Sequence, residues 1–90
     1  NNIVMKYRSR TDIVGLILEA ANGGATKTRI MYKAFLSYAQ LKEYLTVLLE
    51  KDVLEYEEET QLFRTTEKGI RLLQMYSQFD EMMSIESIRR

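Results

Sequence analysis

The chain has 90 residues, thirteen basic and thirteen acidic side chains and a formal charge of zero; it fits one small domain, whose lone core is marginal because so short a chain buries only about 60% of its unfolded surface. With no cysteine there is no disulfide framework or thiolate metal site, and with no histidine the commonest metal ligand and general base are missing, so an enzyme is the least expected class and no metal or cofactor is called for. No apolar run approaches the roughly 18 residues of a membrane span, and Asn1-Asn2-Ile3-Val4-Met5 lacks the basic and apolar regions of a signal peptide, so an intracellular, cytoplasmic protein with no membrane partner is expected.

In chain order, a first helix is expected from near Thr11, capped by Ser9 or Thr11, with Asp12 favoured by the positive end of the helix dipole. Ile13, Leu16, Ile17 and Ala20 form its apolar stripe, and Asn22-Gly23-Gly24 ends it, because glycine adopts the left-handed conformation without a side-chain clash. Thr26 or Thr28 caps a second helix whose inward residues are Ile30, Met31 and Ala34, with Phe35 and Leu36 in the following turn. Ser37 caps a third helix, in which Leu41, Leu45, Leu48 and Leu49 recur with the period of one buried face. Its opposite face carries Ala39, Gln40, Glu43, Thr46, Val47 and Glu50, flanked by Tyr38, Lys42 and Tyr44. That face is mixed in charge, not basic.

Val53 to Glu57 and Gln61 to Thr65 alternate as two short strands, with Leu54, Tyr56 and Phe63 expected inward and Glu58-Glu59-Thr60 turning between them. Glu55, Glu57, Glu58 and Glu59 make the hairpin an acidic tip; successive strand residues point to opposite faces, so these carboxylates do not converge on a metal. Thr66 caps a last helix, with Glu67 in its first turn and Gly69 permitting close approach to the first helix or the hairpin. From there Leu72, Met75, Tyr76, Phe79, Met82 and Met83 recur at steps of three and four residues, a seam wider than a small core requires and one that Ile85 and Ile88 extend. Left exposed, it would be an apolar patch rare on monomers, so a homodimer paired through this helix, as in a coiled coil, is expected.

Short helix, turn, longer helix, two-strand hairpin and capped helix together make a winged helix-turn-helix, a mainly α fold with a small β-hairpin (α+β). The expected organisation is a core over residues 1–69, with an N-terminal arm over 1–8, and a C-terminal dimerisation helix over 66–90. Arg8-Ser9-Arg10, the block Lys27-Thr28-Arg29-Ile30-Met31-Tyr32, Leu36-Ser37-Tyr38 with Leu41 and Tyr44-Leu45, and Thr65-Thr66-Glu67-Lys68-Gly69 carry a resemblance. From about Arg8 to Tyr76 the chain resembles the archaeal winged-helix proteins that include the small dimeric, chromatin-associated DNA-binding proteins of crenarchaea. That resemblance implies sequence-tolerant binding of double-stranded DNA, dimerisation through the C-terminal helix, and a nucleoid-associated transcription regulator or architectural chromatin protein.

Residue chemistry supports a polyanion partner despite the neutral total. Residues 1–51 hold eight basic against four acidic side chains and residues 52–90 hold five against nine, a segregation that gives one face a positive potential. Arg8 and Arg10 in the arm and Lys27, Arg29 and Lys33 on the second helix can neutralise phosphates, while the hydroxyls of Thr28, Tyr32, Ser37 and Tyr38 can donate to backbone oxygens. Gln40 and Lys42 can address adenine or guanine edges, and two such residues define no target sequence. The acidic hairpin departs from this pattern, since many winged helices lay basic residues along phosphates there. It favours the alternative, a winged-helix protein-interaction module without significant DNA binding.

Overall fold

A computed structural model describes residues 8–84, in which α1 (Arg10–Ala20), α2 (Lys27–Ala34), α3 (Tyr38–Glu50), β1 (Leu54–Glu57), β2 (Leu62–Thr65) and α4 (Glu67–Met82) follow one another. This is the expected winged helix-turn-helix with its C-terminal helix. Most of the N-terminal arm, and Ile85 and Ile88 of the seam, lie outside the described residues.

α1 starts one residue before Thr11 because Ser9 forms a capping box: the Asp12 N–H donates to Ser9 Oγ and the Ser9 N–H donates to Asp12 Oδ2, both at 3.0 Å. The helix ends at Ala20, and the chain reverses through Gly23 and Gly24, whose φ of 90° and 104° lie where other residues are strained. Its buried residues differ from the expected stripe. Ile17 and Leu18 are fully buried, whereas Ile13, Leu16 and Ala20 are only partly covered. α1 packs against α2 on one side and against β2 and α4 on another, so it has two inward faces and a single stripe cannot describe it.

The same two-sided packing fixes the hairpin. Ala25 and Phe63 exchange both backbone hydrogen bonds at 2.8 Å, so the segment after α1 extends the β2 edge. Thr65 closes the C-terminal end of α1, its N–H donating to the Ala21 carbonyl at 3.0 Å and its buried hydroxyl to that of Leu18 at 2.6 Å. Carbonyls at a helix C-terminus have no partner within the helix; that of Ala21 also accepts from the Gly24 N–H at 2.9 Å. The strands pair antiparallel, Leu54 with Thr65 and Tyr56 with Phe63, and each starts one residue later than expected. Tyr56 does share the face of Phe63, with ring centroids 4.8 Å apart, but β1 is the outer strand, with β2 between it and Ala25, and Tyr56 stays exposed. Leu49 is likewise exposed rather than inward. At about 100° per residue it lies at the edge of the face that Leu41, Leu45 and Leu48 bury, about 40° beyond Leu45.

A tight junction joins α3, β1 and α4. The Thr66 hydroxyl accepts from the Gly69 N–H at 3.0 Å and donates to the Asp52 carbonyl at 2.6 Å, while the Thr66 N–H donates to the Val53 carbonyl at 3.1 Å. Gly69 lies directly against that Val53 carbonyl, and a β-carbon there would collide with it. Farther along α4 the Tyr76 ring covers Gly15, and its hydroxyl donates to Asp12 Oδ1 at 2.8 Å. Burial and the Asp12 hydrogen bond push the Tyr76 hydroxyl up to about 12. The Ser9 N–H and then the Tyr76 hydroxyl hold Asp12 below the usual carboxylate range. The tyrosine's share of stability is therefore complete below pH of about 10 and lost as pH rises through 12. Asp12's share is present at neutral pH and lost as pH falls through its lowered folded-state pKa.

Gly69→Ala separates close packing from helix propensity. Propensity alone would stabilise α4 by about 1 kcal/mol, whereas overpacking against backbone typically costs about 1–3 kcal/mol. Urea unfolding should show a net loss of stability; a gain would mean that the close approach at Val53 does not constrain α4.

Candidate nucleic-acid interface

α2 and α3 are joined by a corner of three residues, and the geometry of that corner sets where α3 points. Phe35 closes α2 in the left-handed region, φ 54°, with its N–H donating to the Tyr32 carbonyl at 3.3 Å and the Leu36 N–H reaching the Met31 carbonyl at 3.1 Å. This is a Schellman closure, with Leu36 buried beneath it. Ser37 then starts α3 with a second capping box: the Gln40 N–H donates to Ser37 Oγ at 3.2 Å and the Ser37 N–H to Gln40 Oε1 at 3.0 Å. Gln40 is thus partly committed, its carbonyl oxygen being held by the cap while its amide N–H groups remain available.

The expected basic constellation divides. At about 100° per residue Lys27 and Arg29 lie some 200° apart around α2. Lys27 turns toward the start of α3, where its Nζ lies 5.3 Å from the centroid of the Tyr38 ring, and Lys42 Nζ lies 5.7 Å from the same centroid. One exposed ring thereby holds two ammonium groups at the N-terminal end of α3, where the helix dipole adds positive potential. Arg29 and Lys33 instead border a polar cleft of about 420 Å³ with Glu19 and Asn22 at the end of α1. They also share an outer concavity with Thr28 and Tyr32. Arg10 stands apart from both groups, in a groove with Glu43, Tyr44 and Val47 between α1 and α3.

Arg8 has a different task from the phosphate contact expected of it. Its guanidinium donates to the Ala34 carbonyl and, at 2.8 Å, to the Phe35 carbonyl, and it lies 5.9 Å from the centroid of the Phe35 ring. Two carbonyls left over at the C-terminal end of α2 are satisfied from the segment preceding α1. The S-x-x-Q spacing of Ser37 and Gln40 is a legible capping signal; nothing in the local sequence marks Arg8 as a cap for residues so far along the chain.

No acidic residue occurs between Glu19 and Glu43, so α2, the corner and the first turn of α3 form an uninterrupted stretch free of carboxylates. The hairpin is its opposite. Glu55, Glu58 and Glu59 are exposed. Arg64, the hairpin's cation, is engaged within the fold, with Nη1 donating to the Gly23 carbonyl at 2.9 Å and Nη2 to Glu57 Oε1 at 3.2 Å. The Thr60 hydroxyl and then Arg64 hold Glu57 below the usual carboxylate range, so it stays ionised.

α4 presents the expected seam in part. Leu72, Met75, Phe79, Met82 and Met83 are exposed, Phe79 at 65%. Tyr76 is committed to Asp12 and packs within its own domain. An apolar groove of about 400 Å³ runs between α1 and α4, from Val14 and Leu18 to Met75 and Phe79.

A family model described as winged helix-turn-helix matches residues 7–84. Among solved structures the chain is similar to Sso10a-2, a DNA-binding protein from Sulfolobus solfataricus, with a TM-score of 0.77 and 26% sequence identity over 83% of this chain and 81% of that one. No curated protein sequence matches the chain.

Because Arg8 ties two carbonyls at once, Arg8→Ala should lower the unfolding free energy by about 1–3 kcal/mol. Arg8→Lys should recover only part of this, since an ammonium lacks the planar fork. Full stability of Arg8→Ala in chemical denaturation would show that the corner stands without its arm.

Proposed function

Since the chain belongs to the winged helix-turn-helix family, we propose that it binds double-stranded DNA through α3 and the start of α2, as a homodimer joined along α4. The observation that carries this reading is the pair of lysines held on Tyr38 at the N-terminal end of α3. Ordered cations lose less side-chain freedom on meeting a phosphate than cations on free stems, and two of them beside a helix N-terminus suit a duplex backbone. The Ser37 and Tyr38 hydroxyls add donors, Lys42 and the Gln40 amide face the groove, and Arg10 lies along the flank of α3 near Glu43. Arg29 and Lys33, on the far side of α2, contribute to the field rather than to direct contact with that duplex. Such contacts position a protein with little sequence preference, which fits a regulatory or architectural role on the nucleoid and no enzymatic one. The DNA binding stated for the similar Sulfolobus protein supports the same partner.

The wing stays off the phosphates in this reading, because its exposed carboxylates repel them and its arginine is already engaged by Gly23 and Glu57. Dimerisation rests on α4. Its N-terminal half closes the core through Gly69, Leu73 and Tyr76, and its outer edge repeats Leu72, Met75, Phe79 and Met82 at the three- and four-residue steps of a coiled-coil seam. α4 therefore serves both as the last element of the winged helix and as the dimerisation helix. Burying three or four such side chains per subunit, at about 1.5–3 kcal/mol each, is enough to oppose the entropy lost on association.

Fluorescence anisotropy with random-sequence duplex should give a dissociation constant of about 10⁻⁴ to 10⁻⁶ M at physiological salt and a steep salt dependence. Lys27→Ala with Lys42→Ala should reduce the slope by about 0.9 for each phosphate that is no longer neutralised. Phe79→Asp should yield monomers in sedimentation equilibrium and weaker binding, because two linked sites hold one duplex better than either alone. Undetectable binding at low salt would contradict the proposal and favour an interaction module, for which the acidic hairpin is the observation in hand.

A further inference from the structure

Two features remain unused by duplex binding through α3: the exposed rings of Tyr32 and Phe35. Tyr32 is 75% exposed, and Phe35 is 56% exposed while held in the left-handed region at φ 54°. A bulky residue is unusual there. Glycine or asparagine would close the helix at lower conformational cost, and either would spare the exposure of an apolar ring. Both rings line one shallow concavity of about 530 Å³ on the outer face of α2, together with Arg29, Lys33 and the hydroxyl-bearing Thr26 and Thr28.

We propose that this concavity is a second nucleic-acid site, which takes an unpaired strand of DNA. Its chemistry matches one nucleotide unit after another: aromatic faces to stack bases, a guanidinium and an ammonium for phosphates, and hydroxyls for backbone oxygens. Charge complementarity supports it, since no carboxylate lines the concavity; Glu19 meets Arg29 and Lys33 only across the neighbouring cleft. A duplex makes no use of the rings, because its bases are already stacked inside. An acidic peptide would engage the cations and leave the rings idle. Arg8 lies over the Phe35 ring and is anchored to the Ala34 and Phe35 carbonyls. The ring is thereby held in place before a base arrives, which lowers the ordering cost of stacking. At about 100° per residue Tyr32 lies some 140° round α2 from Lys27, and the concavity shares no lining residue with the Lys27–Tyr38–Lys42 group, so the two sites can be tested apart.

The test measures oligo-dT of about 16 nucleotides, a length within the usual site size, and random duplex side by side at low salt by anisotropy. Wild-type protein should bind oligo-dT. Tyr32→Ala and Phe35→Asn, the second chosen because asparagine tolerates the left-handed backbone, should each weaken that binding by roughly 5- to 150-fold, the alanine-substitution range for a stacked base, and Tyr32→Ala, which leaves the corner intact, should leave duplex affinity unchanged. Tyr32→Phe, which keeps the ring, should bind oligo-dT as wild type does. Thermal melts confirm that each variant is folded. Wild-type protein that ignores oligo-dT, binds oligo-U in its place, or loses nothing on either ring substitution would overturn the site, as would a parallel loss of duplex and single-strand affinity in Tyr32→Ala. Oligo-dT binding without duplex binding would instead overturn duplex recognition and leave this site standing.

Discussion

The direction of α3 depends on one backbone reversal, at Phe35. A left-handed residue closes α2, Leu36 drops into the core directly after it, and Ser37 restarts helix with its own cap, so three consecutive residues settle the angle between the two helices. Each has a different physical reason to stay: two backbone hydrogen bonds hold Phe35, burial holds Leu36, and a reciprocal pair of side-chain bonds holds Ser37. Arg8 reinforces the corner from outside by satisfying carbonyls that the closure leaves over. Everything assigned to the interface inherits this geometry. Tyr38 can hold Lys27 and Lys42 only because the start of α2 and the start of α3 face each other across it.

A second fixed point orients the hairpin and the long helix. Thr65 completes the end of α1, Thr66 caps α4 and bonds the Asp52 carbonyl, and Gly69 lets α4 touch Val53. Hairpin and helix are therefore set by the same few residues. Zero net charge then ceases to argue against a polyanion. The exposed glutamates of the hairpin lie outside the helix-turn-helix, and the surface proposed to meet phosphate centres on a stretch with no carboxylate.

Most of the fold was legible in the sequence because capping residues and apolar periodicity act locally. Ser9, Thr26, Ser37 and Thr66 each cap a helix, and the hairpin falls within a residue of its expected span. Errors arose where a residue answers to something distant. Leu18 is buried because α1 has packing partners on two sides, Tyr56 is exposed because β1 is the outer strand of the hairpin, and Tyr76 leaves the seam to bond Asp12. The site was less legible than the fold. Residue type marked Lys27, Arg29, Tyr38 and Lys42 as candidates, but the division of the cations between two faces of α2 needs the helix phase. The diversion of Arg8 to the corner needs the tertiary arrangement.

The central claim is that the carboxylate-free corner, and not the wing, meets duplex DNA. An amide NMR titration with random duplex at low salt tests it most directly. Shifts should concentrate at Lys27 and from Ser37 to Lys42, with little change from Glu55 to Thr60. Shifts largest in the hairpin, or confined to α4, would contradict it.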